Sequence, residues 1–122
     1  MLTRSQKTYL YAIYSLGQNG NTVRSADVAK IVGVSKPSTV KMVQRLVDEE
    51  YILKEPYKEI ALTQKGIRAA NELYTPSVIL RDFLINTIGV SEESADYDAV
   101  IMVSQMTDET LEKLVRFALN KG

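Results

Sequence analysis

The sequence predicts a mainly α-helical protein with one small β-hairpin, in which a winged helix-turn-helix domain is followed by an all-helical region. Three observations support this fold class. Residues 25–46 contain two short helical patterns around a glycine, residues 51–63 contain two strand-like runs around a turn, and residues 64–122 return to helical periodicity. We therefore divide the 122 residues into two predicted domains, 1–63 and 64–122.

The first helix is predicted between Ser5 and Gly17. Leu10 and Ile13 recur at helical spacing behind Ser5, whose hydroxyl can cap the start of the helix. Glycine is a common residue just beyond a last helical turn, so we expect the helix to end at Gly17. A short extended piece at 22–24 then leads into the next helix.

The second and third helices form the predicted helix-turn-helix. Ser25 is expected to cap the second helix and Gly33 to end it, because glycine most easily adopts the positive φ that follows a last turn. Ser35 is expected to cap the third helix, with Pro37 in the first turn, where its missing N–H costs little. Two helices joined by a glycine-containing turn are typical of DNA-binding domains, in which the second of them reads DNA.

The third helix is predicted to have an apolar inner face and a polar outer face. The inner face consists of Val40, Val43, Leu46 and Val47, and the outer face of Lys36, Ser38, Thr39, Lys41, Gln44 and Arg45. Hydroxyl, amide and ammonium groups near a helix N-terminus can contact phosphates and base edges. The DNA contacts predicted in and before this helix are Arg24, Ser35, Lys36, Pro37, Ser38, Thr39, Lys41 and Gln44. The alternative is an ordinary solvated amphipathic helix.

The strand-like runs at 51–54 and 59–63 predict a hairpin directly after the reading helix. In a winged helix the hairpin tip lies beside the DNA backbone. Lys54, Tyr57 and Lys58 are therefore predicted as further phosphate contacts, although a solvated turn is the alternative. We rank this wing below the third helix, because acidic residues flank the tip.

The second half of the chain is predicted to be helical throughout. A helix starting near Thr63 is expected to break or kink at Pro76, to restart over 77–88 and to end at Gly89. Two more helices follow, and Thr107 is expected to cap the last of them. Because a dimer that reads a two-fold DNA site must hold two reading helices ~34 Å apart, we interpret 64–122 as a dimerisation region. Completion of a monomer core is the alternative.

The charge distribution and the residue types that are missing indicate which classes of function fit this chain. Net charge is zero, but residues 1–66 hold ten Lys and Arg against six Asp and Glu, and residues 67–122 hold five against nine. A basic first half supports DNA binding by that half. The chain has no cysteine and no histidine, so we expect no enzyme activity based on a thiol nucleophile or an imidazole base. No signal peptide or membrane-spanning run is evident, and a soluble, cytoplasmic protein is expected.

The chain resembles the iron- and manganese-dependent repressors, the family of the diphtheria toxin repressor and the manganese transport regulator. The matching residues are Tyr9, Ile13, Tyr14, Ala26-Asp27-Val28-Ala29, Val34-Ser35, Pro37-Ser38, Val40-Lys41-Met42-Val43, Leu46, Tyr51, Leu62-Thr63, Lys65-Gly66, Phe83-Leu84 and Ile88-Gly89-Val90. The resemblance implies a homodimeric transcriptional repressor that binds double-stranded DNA at a palindromic operator, with the dimer formed by the helices after the wing.

The resemblance also implies a divalent metal site, of manganese or iron, and here the sequence departs from the family. The positions that correspond to the family's metal ligands are Thr8, Tyr11, Ser77, Val100, Val103 and Ser104. None of these is a good ligand for a first-row transition metal. We therefore expect that metal sensing has been lost, that no cofactor is needed, and that another effector replaces the metal or none is required.

Two alternatives of other kinds stay open. The first is a winged-helix regulator that senses a small organic ligand, with Tyr11, Tyr14, Tyr74 and Phe83 lining the pocket. The second is a protein-interaction module that has kept the scaffold without DNA specificity. DNA binding that is weak and indifferent to sequence, together with a stable protein partner, would favour the second alternative.

Overall fold

The computed structural model describes residues 2–54 and 59–121 and confirms the predicted fold class. Its elements are α1 (Arg4–Leu16), a 3-10 turn (Gln18–Gly20), α2 (Ser25–Val32), α3 (Lys36–Asp48), β1 (Ile52–Lys54), β2 (Ile60–Leu62), α4 (Gln64–Phe83), a π-helical segment (Leu84–Ile88), α5 (Glu92–Gln105) and α6 (Asp108–Lys121). The chain divides into two compact units, unit 1 (Met1–Asn71) and unit 2 (Glu72–Gly122), so that the division lies within α4. The domain boundary at 63/64 stays a prediction.

The caps of α1 and α2 differ from those predicted. Thr3, not Ser5, caps α1: its side chain accepts the backbone N–H of Gln6, and the Gln6 side chain accepts the N–H of Thr3 in return. This reciprocal pair satisfies two N–H groups at once, which a cap at Ser5 would not do. Ser25 is the first residue of α2, and Arg24 occupies the cap position without a side-chain bond.

The turn between α2 and α3 forms as predicted. Gly33 adopts φ 79° and ψ 34° directly after α2. Ser35 then caps α3, its Oγ accepting the backbone N–H of Ser38 at 3.3 Å. Pro37 lies in the first turn, as expected. The helix-turn-helix is therefore fixed by residues that lie within the turn itself.

The hairpin is a two-stranded antiparallel sheet. Ile52 is opposite Leu62 and Lys54 is opposite Ile60. The N–H of Ile60 also donates to the carbonyl oxygen of Val23 at 2.8 Å, which ties the segment before α2 to the hairpin. Both ends of the helix-turn-helix are thus held by the sheet.

The core of unit 1 lies where the three helices meet the hairpin. Its buried apolar side chains come from the helices, both strands and the segment before α2: Tyr9, Leu10, Ala12, Ile13, Val23, Val28, Val43, Leu46, Ile52, Ile60 and Ala70. Burial of such aliphatic side chains stabilises a domain by roughly 1.5–3 kcal/mol each. This core holds the inner face of α3, so the outer face of the helix is turned to solvent.

The start of α4 lies against the segment that links α3 to β1. A Cβ on Gly66 would lie 2.0 Å from the carbonyl oxygen of Tyr51, so only glycine fits. Thr63 bridges the same segment, because its hydroxyl donates to the carbonyl oxygen of Glu50 at 2.7 Å and accepts the N–H of Gly66 at 3.0 Å. These contacts fix the hairpin against the first turn of α4.

In unit 2, α4 continues through Pro76 to Phe83, so the predicted break and restart are wrong, and the kink predicted as the alternative stays a prediction. Pro76 cannot donate to the carbonyl oxygen four residues earlier, but that residue, Glu72, is exposed and its carbonyl can bond water. The Ser77 hydroxyl donates to the carbonyl oxygen of Tyr74 at 2.6 Å, which satisfies a second group in the same turn. The chain then leaves the α-helix through the π-helical segment, and Gly89 ends it at φ 89°.

The buried face of unit 2 is formed by small and aliphatic side chains. Its most buried apolar residues are Leu73, Leu80, Ala95, Ala99, Val103 and Ala118. Phe83 and Phe117 meet edge to face, with their ring centroids 6.1 Å apart. Thr107 caps α6 as predicted, since its hydroxyl accepts the N–H of Thr110. No helix in the described part of the chain combines the length and apolarity needed to cross a membrane.

Candidate nucleic-acid interface

The inner face of α3 differs from the predicted one at two adjacent residues. Thr39, predicted as a DNA contact, is fully buried, and its hydroxyl donates to the carbonyl oxygen of Ser35 at 3.1 Å. Val40, predicted to lie in the core, is 60% exposed. The true inner face is Thr39, Val43 and Leu46, a spacing of four and then three residues. Thr39 fits there because α3 itself satisfies its hydroxyl.

The outer face of α3 carries the other predicted contacts. Ser35, Lys36, Pro37, Ser38, Lys41 and Gln44 are all exposed. Pro37, Lys41 and Gln44 follow one another at intervals of four and three residues, so they share one side of the helix. We call these three residues and Val40 the α3 strip.

Gln44 and Arg45 have partners along α3 itself. The Gln44 side-chain amide donates to Asp48 Oδ1 at 2.9 Å, and Arg45 Nε donates to Glu49 Oε2 at 3.0 Å. All of these groups are solvent-accessible, so the bonds can be exchanged for bonds to DNA at small net cost. The Gln44 side chain would have to give up its hydrogen bond to Asp48 before its amide NH2 and C=O groups could both bond a base edge.

Glu49 connects the end of α3 to two other elements of unit 1. Its carboxylate accepts hydrogen bonds from Arg45 and, at 2.9 Å, from the buried side chain of Gln6 in α1. Lys65 Nζ donates to the Glu49 carbonyl oxygen at 2.8 Å and lies 4.3 Å from the centre of the Tyr51 ring. The hydrogen bond from Arg45 and then that from Gln6 lower the pKa of Glu49. The reading helix is thus anchored at its C-terminal end.

The remaining predicted contacts lie at the edges of the interface or outside the described residues. Arg24 is exposed at the start of α2. Lys54 is half-buried at the end of β1, opposite Ile60. Tyr57 and Lys58 lie in 55–58, outside the described residues, so their role stays a prediction.

Fold and interface together define a class of protein. A three-helix unit with a hairpin presents one helix whose inner face is packed and whose outer face carries two lysines, serine hydroxyls and an amide. Positive charge and hydrogen-bonding groups at the start of such a helix are the features that DNA readers use. The chain therefore has the architecture of a winged helix-turn-helix DNA-binding protein.

Comparison with known families identifies the group within this class. Residues 1–60 match the family described as iron dependent repressor, N-terminal DNA binding domain. Residues 63–120 match the family described as iron dependent repressor, metal binding and dimerisation domain. The chain belongs to the iron-dependent repressor family. This membership confirms the predicted class, a DNA-binding transcriptional regulator rather than an enzyme.

Individual relatives agree with this assignment. The chain is 36% identical over 98 residues to the HTH-type transcriptional regulator MntR of Geobacillus thermodenitrificans, a match that covers 80% of this chain and 69% of that protein. It is 28% identical over 117 residues to an uncharacterized HTH-type transcriptional regulator of Methanocaldococcus jannaschii, covering 95% of this chain and 94% of the relative. The solved structure of the manganese regulator SloR matches with a TM-score of 0.73 and 27% identity, covering 96% of this chain. This chain spans about half of the SloR chain, 54%.

The six positions predicted from the family's metal site hold side chains that do not fit a transition metal. The hydroxyls of Thr8, Ser77 and Ser104 each donate to a carbonyl oxygen of their own helix, at 3.0, 2.6 and 2.8 Å. Val103 is fully buried, and a valine offers no donor atom. Within residues 2–54 and 59–121, no group of three or more acidic, histidine or cysteine side chains could hold a metal ion. The donor set of this chain therefore differs in kind from that of a manganese or iron site.

Of the four aromatic residues predicted to line one pocket, Tyr14 and Phe83 line two different grooves, and neither groove includes Tyr11 or Tyr74. Tyr14 lines a groove of about 400 Å³ in unit 1, together with residues of the hairpin. Phe83 lines a groove of about 350 Å³ in unit 2, together with Val78 and Leu119. Each groove is lined by residues of one unit.

Proposed function

We propose that this chain is a homodimeric transcriptional repressor that acts in the cytoplasm, binds a two-fold double-stranded DNA operator through α3, and does so without a metal ion. The observation that carries the proposal is the α3 strip. Pro37, Lys41 and Gln44 are exposed on one side of a helix whose other side is packed into the core of unit 1. A helix fixed in this way can enter the major groove without reorganising.

The lysines at the start of α3 are proposed to neutralise phosphates. Lys36 and Lys41 are exposed and lie in the first two turns, where the N-terminal end of the helix also favours an anion. Each phosphate that a lysine neutralises adds ~0.9 to the slope of log affinity against log salt concentration. In a homodimer each substitution removes one phosphate contact per subunit, so Lys36→Ala and Lys41→Ala should each weaken DNA binding and flatten this slope by ~1.8.

The experiment begins with selection of a sequence from a random duplex library by the wild-type protein. The affinity of each variant for the selected duplex is then measured by fluorescence anisotropy across a salt series. Lys113→Ala is the matched control, because it removes one exposed lysine from α6 of unit 2. Unchanged slopes in both α3 variants would contradict the placement. Failure to enrich any sequence would instead favour a protein-interaction module.

The proposal of a homodimer has its own support in α5. Ala95, Ala99 and Val103 form the buried side of this helix. Tyr97 and Ile101, one turn apart on a different side, are also apolar but are 69% and 40% exposed. A helix that is apolar on more than one side is usually buried on each of them. We propose that a second copy of unit 2 covers Tyr97 and Ile101.

Metal independence is proposed from the chemistry of the six family positions. Three serine and threonine hydroxyls bonded to carbonyl oxygens, the phenol of Tyr11 and two valines include neither a carboxylate nor an imidazole, the donors that manganese and iron select. Restoring a site would require several simultaneous substitutions. We therefore propose that DNA affinity in this chain does not depend on manganese or iron.

An organic effector is a second candidate, supported by the groove that contains Tyr14 and the groove that contains Phe83. An apolar compound that raises the thermal unfolding temperature and also changes DNA affinity would support it. A compound that binds without changing DNA affinity would leave DNA binding independent of any effector.

A further inference from the structure

The α3 strip contains one residue that a phosphate or a polar base edge does not explain. Val40 lies three residues after Pro37 and four before Gln44, in the middle of the exposed outer surface. Its side chain is 60% exposed. The packed face does not need it, because Thr39, Val43 and Leu46 fill that face and are each at most 5% exposed. Val40 is thus an apolar group held in solvent at the centre of a DNA-reading surface.

The chemistry of the major groove indicates what Val40 can contact. The groove presents donors and acceptors from every base pair, but its one apolar group is the 5-methyl group of thymine. Valine in a helix holds nearly a single rotamer, so its two methyl groups are positioned before binding and lose little freedom on contact. An aliphatic side chain at this place therefore gains free energy only where it meets a thymine methyl.

We propose that Val40 is a specificity-determining residue that contacts a thymine 5-methyl group in each operator half-site. This inference rests on the proposed DNA-binding function. Lys41 and Gln44 beside it supply the polar contacts that fix the register, and Val40 then distinguishes thymine from cytosine at one position. Removal of that methyl group should lower affinity roughly fourfold per half-site, the value of one buried methyl group.

The test uses the duplex selected by the wild-type protein. Each thymine is replaced in turn by deoxyuridine, which pairs identically but lacks the 5-methyl group. For the wild-type protein, we expect a roughly fourfold loss of affinity at one symmetry-related position per half-site. For Val40→Ala, the difference in affinity between the thymine and deoxyuridine duplexes at that position should be smaller than for the wild type, because alanine offers less apolar surface to the thymine methyl.

Ile31→Ala is the matched control, because Ile31 is also an aliphatic residue with 60% exposure but belongs to α2. This variant should retain the deoxyuridine penalty, and thermal unfolding of both variants checks that unit 1 stays folded. A selected duplex that shows no deoxyuridine penalty, or a penalty that Val40→Ala retains in full, would overturn the inference while leaving the proposed function in place. Failure to select any duplex would overturn both.

Discussion

At the scale of single residues, Glu49 is the group whose charge is most closely tied to the fold of unit 1. Its carboxylate accepts bonds from Arg45 and Gln6, and these bonds lower its pKa. A carboxylate whose folded-state pKa lies below its unfolded value stabilises the fold above the unfolded pKa. That contribution is lost as the pH falls through the lowered pKa.

Glu49→Gln should therefore destabilise the protein near neutral pH by removing a charge-assisted contact, and the difference from wild type should shrink as the pH is lowered. The midpoints of urea unfolding between about pH 7 and about pH 3 measure this difference. Glu50→Gln is the control, because it changes the neighbouring exposed carboxylate. A difference for Glu49→Gln that is constant over the whole range would contradict this account.

Thr39 and Val40 illustrate what the sequence alone does not determine. Thr39 and Val40 are adjacent β-branched residues of similar size, and the pattern of Val43, Leu46 and Val47 is compatible with either of them facing inward. Hydrophobicity favours Val40 in the core. The structure reverses this, because the Thr39 hydroxyl bonds to the carbonyl oxygen of Ser35 and no longer opposes burial. Such a local bond is not visible in the periodicity of the sequence.

At the scale of elements, sequence signals located the helices well and their first residues less well. Gly33 and Ser35 mark the turn because each has one conformational or capping role that few residues share. The predicted cap at Ser5 was wrong, because Thr3 forms a reciprocal pair of hydrogen bonds with Gln6. Pro76 did not end α4, although it removes the hydrogen bond to the carbonyl oxygen of Glu72, an exposed residue.

The junction of the hairpin with α4 supports a prediction for Gly66. A glycine-to-alanine substitution within a helix normally raises the free energy of unfolding by up to about 1 kcal/mol. Here the new Cβ would lie 2.0 Å from the carbonyl oxygen of Tyr51, so Gly66→Ala should instead destabilise by about 1–3 kcal/mol.

Chemical denaturation of the Gly66→Ala variant measures directly whether the free energy of unfolding rises or falls. Gln64→Ala is the control, because this exposed residue lies in the same first turn of α4. The control should change stability by less than about 0.5 kcal/mol. A stabilised Gly66→Ala would show that the helix does not approach the Tyr51 carbonyl oxygen closely.

At the scale of the whole molecule, the order of elements was more informative than any one of them. Three helices, a hairpin and a helical tail predicted both the fold class and the family, and the match of 1–60 and 63–120 to the two family domains confirms this. Of the DNA contacts predicted in α3, Lys36, Lys41 and Gln44 are exposed and Thr39 is buried, and their contact with DNA stays a prediction. The side of α5 that we propose a second copy covers could not be predicted from sequence, because apolar residues lie on two sides of this helix.

The proposed dimer predicts the effect of a charge on the exposed side of α5. Tyr97→Lys should raise the dimer dissociation constant by at least about tenfold, because the interface would have to bury an ammonium group. Asp98→Lys places the same residue one position away, off the side shared by Tyr97 and Ile101, and should have a smaller effect. Sedimentation equilibrium of both variants and the wild type measures the dimer dissociation constants. Equal dimerisation of the Tyr97 variant and the wild type would place the interface elsewhere.

We propose that this member of the iron-dependent repressor family binds its operator without a metal ion. The most direct measurement is calorimetric titration of the chelator-treated protein with manganese, iron(II), cobalt and zinc, followed by operator affinity with and without each metal. We expect no saturable binding in the micromolar range or tighter, and the same operator affinity in every condition. Micromolar or tighter binding that raises operator affinity would contradict the claim and restore metal-dependent control.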